Sequence, residues 1–160
     1  ISEETANLAV LDGDEVAYIA QMPSRHRMRM FTEVGRRVLP HASGVGKAIL
    51  STLPEAQTLA IVERTGLPRY TPSTLVSPEM LLDDLRASRR RGFAIDDGEQ
   101  EIGVRCIAVA VPRSSPPAAV SISGPAARVT DARAPEFIDA LQRAARALET
   151  AAESAATPMI

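Results

Sequence analysis

The order of apolar and polar positions changes period several times along the chain. A first apolar run, Leu8-Ala9-Val10-Leu11, meets the turn string Asp12-Gly13-Asp14 and a second run over residues 16–20, which together predict an antiparallel hairpin. Further short strands are expected at residues 28–31 and 35–39. From Ser43 the period becomes helical, with a capping hydroxyl standing before Val45, Ala48, Ile49 and Leu53. Pro54-Glu55 opens a second short helix through Val62, closed by Thr65-Gly66-Leu67-Pro68. A surface loop leads to Ser77-Pro78-Glu79, a cap with proline in the first turn, and Leu81, Leu82 and Leu85 mark the apolar stripe of a helix that stops at Gly92.

Phe93-Ala94-Ile95 returns to strand and enters an acidic turn at residues 96–101, read as a solvated loop bent at Gly98. Residues 103–111 and 118–123 predict two core strands joined by a Ser-Pro loop. Behind Pro135, Phe137, Ile138, Leu141, Ala144, Ala145 and Leu148 recur at helical spacing. The alanine-rich end is expected to fray. Hairpin pairs separated by helices predict an α+β domain, an antiparallel sheet carrying helices on a face, rather than a doubly wound parallel sheet. The expected division is one domain over residues 1–152 and a frayed tail over 153–160.

Length and charge narrow the function classes. At 160 residues the chain suffices for one core that buries roughly 70% of the unfolded surface. No apolar run approaches the roughly 20 residues that cross a bilayer, so no membrane partner is expected. The single cysteine excludes an internal disulfide and fits a reducing cytoplasm, the expected location. Because the chain opens on Ile1 rather than Met, its natural N-terminus is expected upstream, where a targeting segment stays open. A net charge of −2 argues against an autonomous nucleic-acid binder, and the basic run at residues 86–91 is read as a solvated helix face. With aromatics at 3% and no Trp, stacking platforms for single strands are not expected.

The string His41-Ala42-Ser43-Gly44-Val45-Gly46-Lys47-Ala48 invites comparison with a phosphate loop and fails it twice. Such a loop needs Gly where this chain has His41 and Ser or Thr where it has Ala48. Two readings of the string remain open. Amides at the helix start, accessible beside Gly44 and Gly46, can bind a small anion, or the glycines merely permit tight packing. Ser121 and Ser123 share one strand face by the period of two, as do Val104 and Cys106. That face either lines a partly apolar pocket with two hydroxyls and a thiol, or its serines satisfy nearby backbone and Cys106 is a small buried hydrophobe. A nucleophilic Cys106 would need a base from His26 or His41, and Arg105 should point to the opposite face. No short His or Cys spacing marks a metal site, and neither metal nor cofactor is expected.

Taken together, five strings are similar to the C-terminal effector domain of the isocitrate lyase regulator (IclR) family. They are Asn7-Leu8-Ala9-Val10-Leu11-Asp12-Gly13, the His41 to Ala48 string, Arg91-Gly92-Phe93-Ala94-Ile95-Asp96-Asp97, Gly103-Val104-Arg105-Cys106-Ile107-Ala108 and Ser121-Ile122-Ser123-Gly124-Pro125. They hold their order and spacing over about residues 5–150. The chain departs from the pattern at Gly98, where an acidic residue is usual and only Glu99 remains, and in the short loop at residues 114–117. The resemblance implies a GAF-like domain, a curved antiparallel sheet flanked by helices, that binds an organic acid or aromatic effector. It also implies a homodimer or homotetramer, and DNA binding only through an N-terminal winged helix-turn-helix outside this chain. The effector-site residues it implies are Met30, Val38, Gly44, Val45, Asp96, Val104, Cys106, Ser121 and Ser123. A small GAF-like enzyme using Cys106 and a ligand-free dimerisation module are the alternatives.

Overall fold

The computed structural model describes residues 2–156. Strands β1 (Thr5–Asp12) and β2 (Glu15–Met22) pair antiparallel across a tight turn in which Gly13 takes φ +64°, a left-handed value that suits glycine. Their register slips between Leu8 and Ala9, leaving Ile19 without an opposite residue. Tyr18, two positions from Val16, lies on the same strand face as that residue. Strand β3 (Arg37–Val38) joins the outer edge of β2. On the other side of β1 come β6 (Ala118–Pro125), β5 (Val104–Val111) and β4 (Ala94–Asp97). Among the described residues the sheet has six strands in the order β3-β2-β1-β6-β5-β4, every neighbouring pair antiparallel.

Four α-helices surround this sheet among the described residues: α1 (Gly44–Leu50), α2 (Glu55–Thr65), α3 (Pro78–Arg91) and α4 (Ala134–Ala156). The period of two sends Ile107, Val109, Val111, Val120 and Ile122 to one face, where Phe137, Leu141 and Ala145 of α4 cover them. Each large side chain fully buried there contributes roughly 1.5–3 kcal/mol. The opposite face presents Ala9, Ala94, Ala108 and Ala119, whose small side chains let α1 lie close, so that all seven of its residues are buried. Leu50, Leu53, Ile61, Leu81 and Leu85 form a third cluster beneath α2 and α3. Ser43 and Ser77 cap α1 and α3 by accepting from Gly46 N and Met80 N, and Gly92 ends α3 at φ +85°.

Several expectations are corrected. Residues 28–31 form no strand, because side chains rather than a ladder satisfy their carbonyls: Thr5 Oγ1 donates to Met30 O at 3.1 Å and Arg128 Nη2 to Met28 O at 2.7 Å. Of residues 35–39, only Arg37 and Val38 pair. Helix α2 runs past Val62 to Thr65. Residues 153–156 of the expected tail continue α4, where Arg113 pairs with Glu149 and Glu153; the remainder, 157–160, lies outside the described residues. The run at residues 86–91 is not only a solvated face, since Arg89 donates to the carbonyls of Ser51 and Leu53 just beyond α1. The acidic turn is not a solvated loop. Asp96 and Glu99 are buried, and the hydroxyls of Thr71 and Thr74 donate to the carbonyls of Gly98 and Glu99.

Candidate functional site, a polar cluster beneath the first helix

Register alone assembles a polar row. Asp96 on β4 lies opposite Cys106 on β5, Cys106 opposite Ser123 on β6, and Ser123 opposite Thr5 on β1. Ser121 stands one period further along the same face, opposite Ala108 and Asn7. The first turn of α1 rests on this row. A Cβ on Gly44 would meet Cys106 Sγ at 2.6 Å, and one on Gly46 would meet Pro40 O at 2.3 Å, so both glycines are required by packing. Ser43 occupies two amides of the helix start, its Oγ accepting from Gly46 N at 3.0 Å and its carbonyl from Lys47 N at 2.9 Å. The amides of Gly44 and Val45 are the two that Ser43 does not claim.

The cluster is dry. Burial pushes the Asp96 carboxyl up to about 7, against the pull of the Glu99 amide it accepts from, with Glu99 raising it further and Lys47 and the Gln100 amide lowering it. Burial pushes the Cys106 thiol up to about 11, with Asp96 adding to the rise and the nearby Ser123 and Ser121 hydroxyls opposing it. Tyr18, reaching in from β2, is raised as well, first by burial and then by Cys106 and Asp96. Ser121 is 1% exposed, yet its hydroxyl makes no hydrogen bond that meets distance and angle. Its proximity to Cys106 is therefore a loose contact with a poor acceptor. A buried hydroxyl without a partner costs about 1–3 kcal/mol, and Thr58 Oγ1 on α2 is in the same condition.

The structure brings together Gly44, Val45, Asp96, Cys106, Ser121 and Ser123. Val104 shares the face of Cys106 at the rim, and with Met30 it lines a cavity of about 340 Å³ that opens between the 28–31 loop and the start of β5. Met30 thus lines a cavity whose walls include none of those six residues, and it is not a strand residue. Val38 belongs to the apolar cluster of Val45 but pairs with Val16 on β3, the sheet edge opposite to the Asp96 strand. Two residues of the site escaped sequence reasoning. Tyr18 was legible, two positions from Val16 on the same strand face. Lys47 was not: nothing in a helical pattern announces a lysine with 0% exposure, and its ammonium turns inward to Glu99 and Asp84.

Neither imidazole serves Cys106. His41 Nε2 donates to Pro68 O at 2.9 Å and its ring stacks on Tyr70, while His26 faces Glu3 and Glu4. A thiol held near 11 is protonated at neutral pH and a poor nucleophile. Arg105, as expected, lies on the other face, paired with Asp131. Among the described residues no group of three or more His, Cys, Asp or Glu is placed to hold a metal ion, and no helix is long and apolar enough to cross a membrane.

Residues 1–150 match the model of the bacterial transcriptional regulator IclR C-terminal family. The chain belongs to the IclR family. It is 46% identical over 140 residues to the transcriptional repressor IclR of Escherichia coli K12, covering 85% of this chain and 51% of that protein. The crystal structure of the Thermotoga maritima IclR superposes with a TM-score of 0.87 at 32% identity, covering 93% of this chain and 61% of that one. The inducer-binding domain of PobR from Acinetobacter, a double mutant in complex with 3-hydroxybenzoic acid, superposes with a TM-score of 0.81 at 28% identity over 92% and 89% of the two chains. This chain spans about half the length of the curated relative it matches. It is an IclR effector-binding domain with the GAF-like fold of that family, a family of transcriptional regulators and not of enzymes.

Proposed function

We propose that this IclR domain senses a small organic acid in the cluster between α1 and the sheet, and that occupancy alters DNA binding by an N-terminal domain of the longer protein. The observation that carries the reading is the buried Ser121 hydroxyl, which makes no aligned hydrogen bond and lies close to Cys106, in the row next to Asp96, Cys106 and Ser123. The amides of Gly44 and Val45 and the serine hydroxyls suit a carboxylate, and Asp96 suits a hydroxyl on the ligand or, when protonated, donates to it. Tyr18 adds a buried phenol near Cys106 and Asp96. Met30 and Val104 line the neighbouring cavity, and Val38 supports the helix from behind through Val45. In a cytoplasmic homodimer or homotetramer, an effector that binds one subunit arrangement better than another shifts the population toward it.

Calorimetry on a panel of small hydroxy acids, oxo acids and aromatic acids tests this reading. Small acids of this panel should bind, and Ser121→Ala should weaken them by about tenfold to a hundredfold, the worth of a hydrogen bond to a charged group. Because the wild-type hydroxyl has no protein partner, the same substitution should leave thermal stability unchanged or slightly higher. Loss of stability without loss of affinity would remove Ser121 from the site.

A further inference from the structure

We infer that Lys47 is a positioning residue for the effector site: through Glu99 and Asp84 it clamps the acidic turn and so fixes where Asp96 stands and which charges it faces. The inference rests on the effector-site reading above. Lys47 Nζ lies 2.8 Å from Glu99 Oε1, 3.0 Å from Glu99 Oε2 and 2.9 Å from Asp84 Oδ2. The Oε1 and Oδ2 contacts fall short of aligned hydrogen bonds, so charge rather than geometry holds them. A lysine buried completely among carboxylates gains little net stability over an apolar residue of similar volume, which makes a second role the better account of its presence.

That role is traced by the bonds beyond the ammonium. Glu99 Oε2, held by Lys47, also accepts from Asp97 N at 3.0 Å, and Glu99 N donates to Asp96 Oδ1 at 2.8 Å. One side chain therefore folds the turn that presents Asp96. The bend passes through Gly98 at φ +68°, and Thr71 and Thr74 fasten it from the preceding loop. Asp84 adds α3, so α1, α3, the 71–74 loop and the turn meet at one cation. The charged and titratable groups facing Asp96 are Lys47 from α1, Glu99 from its own turn, Cys106 from β5 and Tyr18 from β2.

The experiment uses this chain and its Lys47→Met, Glu99→Gln and Asp84→Asn variants. Carbon-13 NMR follows the Asp96 carboxyl through a pH titration, and calorimetry follows the tightest-binding acid of the panel above. Loss of the cation should raise the Asp96 midpoint and loss of the Glu99 charge should lower it. Opposite displacements are a result that a merely structural role does not produce. Affinity should fall by about tenfold or more in Lys47→Met. Should that variant not fold, Glu99→Gln and the double variant Lys47→Met/Asp84→Asn, which leaves fewer unpaired charges, carry the same comparison. Midpoints that do not move, or that move the same way, overturn the inference. So does unchanged affinity in the Lys47 variants when Ser121→Ala binds weakly. Opposite midpoint displacements with affinity unchanged in every variant, Ser121→Ala included, instead reject the effector-site reading.

Discussion

On the α4 side of the sheet, Ile107, Val109, Val120 and Ile122 meet Phe137 and Leu141, whereas the same strands show Cys106, Ala108, Ala119, Ser121 and Ser123 to α1. The first side has an apolar core covered by a helix of 23 residues, with Arg105 and Asp131 paired at its margin. The second is covered by a helix of 7 residues that is buried on every face, and it contains the Asp96 carboxyl, the Cys106 thiol, the hydroxyls of Thr5, Ser121 and Ser123, and the fully buried Lys47. Large side chains on one face provide the burial that offsets a buried polar cluster, in part without aligned hydrogen bonds, on the other. The large apolar core and the proposed effector site thereby lie on opposite sides of β5 and β6, in alternate residues of the same strands.

The comparison is broken most severely by Phe137→Ala. Deleting a fully buried ring from the apolar side should cost about 3–5 kcal/mol by chemical denaturation while leaving the affinity of the folded fraction for acids unchanged. An accompanying change in ligand preference would show that the two faces are coupled. Gly44→Val attacks the other side. Its Cβ cannot share space with Cys106 Sγ, so α1 must lift or the strand must move, an overpacking cost of about 1–3 kcal/mol with acid binding lost outright. Folded Gly44→Val that binds as the wild type does would mean that the helix start is not part of the site.

The smallest effect is read in pH. The Asp96 carboxyl is raised to about 7, so it is neutral and able to donate below that value and anionic above it. An acid effector is an anion throughout. Its affinity should be flat below pH 7 and fall by at most about tenfold per unit above it, as the like charge appears. Asp96→Asn should flatten the profile. Calorimetry from pH 5.5 to 8.5 checks both, and a profile with no break near 7 would place the ligand away from Asp96.

Much of this architecture was legible in the chain. The hairpin around Gly13, the serine caps before α1 and α3, the stop at Gly92 and the long stripe of α4 are local signals, each set by a few neighbouring residues and their periodicity. The face shared by Ser121 and Ser123, and by Val104 and Cys106, followed from the period of two. The supposed strand at residues 28–31 failed because its carbonyls are taken by Thr5 and Arg128, which lie far away in sequence. The buried condition of Asp96 and Glu99 failed for a related reason: an acidic turn looks solvated until its partners, Lys47, Thr71 and Thr74, are known.

By itself, then, the order of residues determined which segments are helix or strand, which side chains share a face, and membership of the IclR family through strings held at fixed spacing. Only the tertiary structure decided which faces meet. Antiparallel register set Asp96, Cys106 and Ser123 in one row, a bulge at Ile19 shifted the pairing of β2 against β1, and α1 pressed close enough to exclude water from Lys47. The physical reason is range. Periodicity and capping act over a few residues, while burial, charge compensation and the rise of a buried carboxyl to about 7 depend on groups brought from β2, β4, β5, β6, α1 and α3 at once.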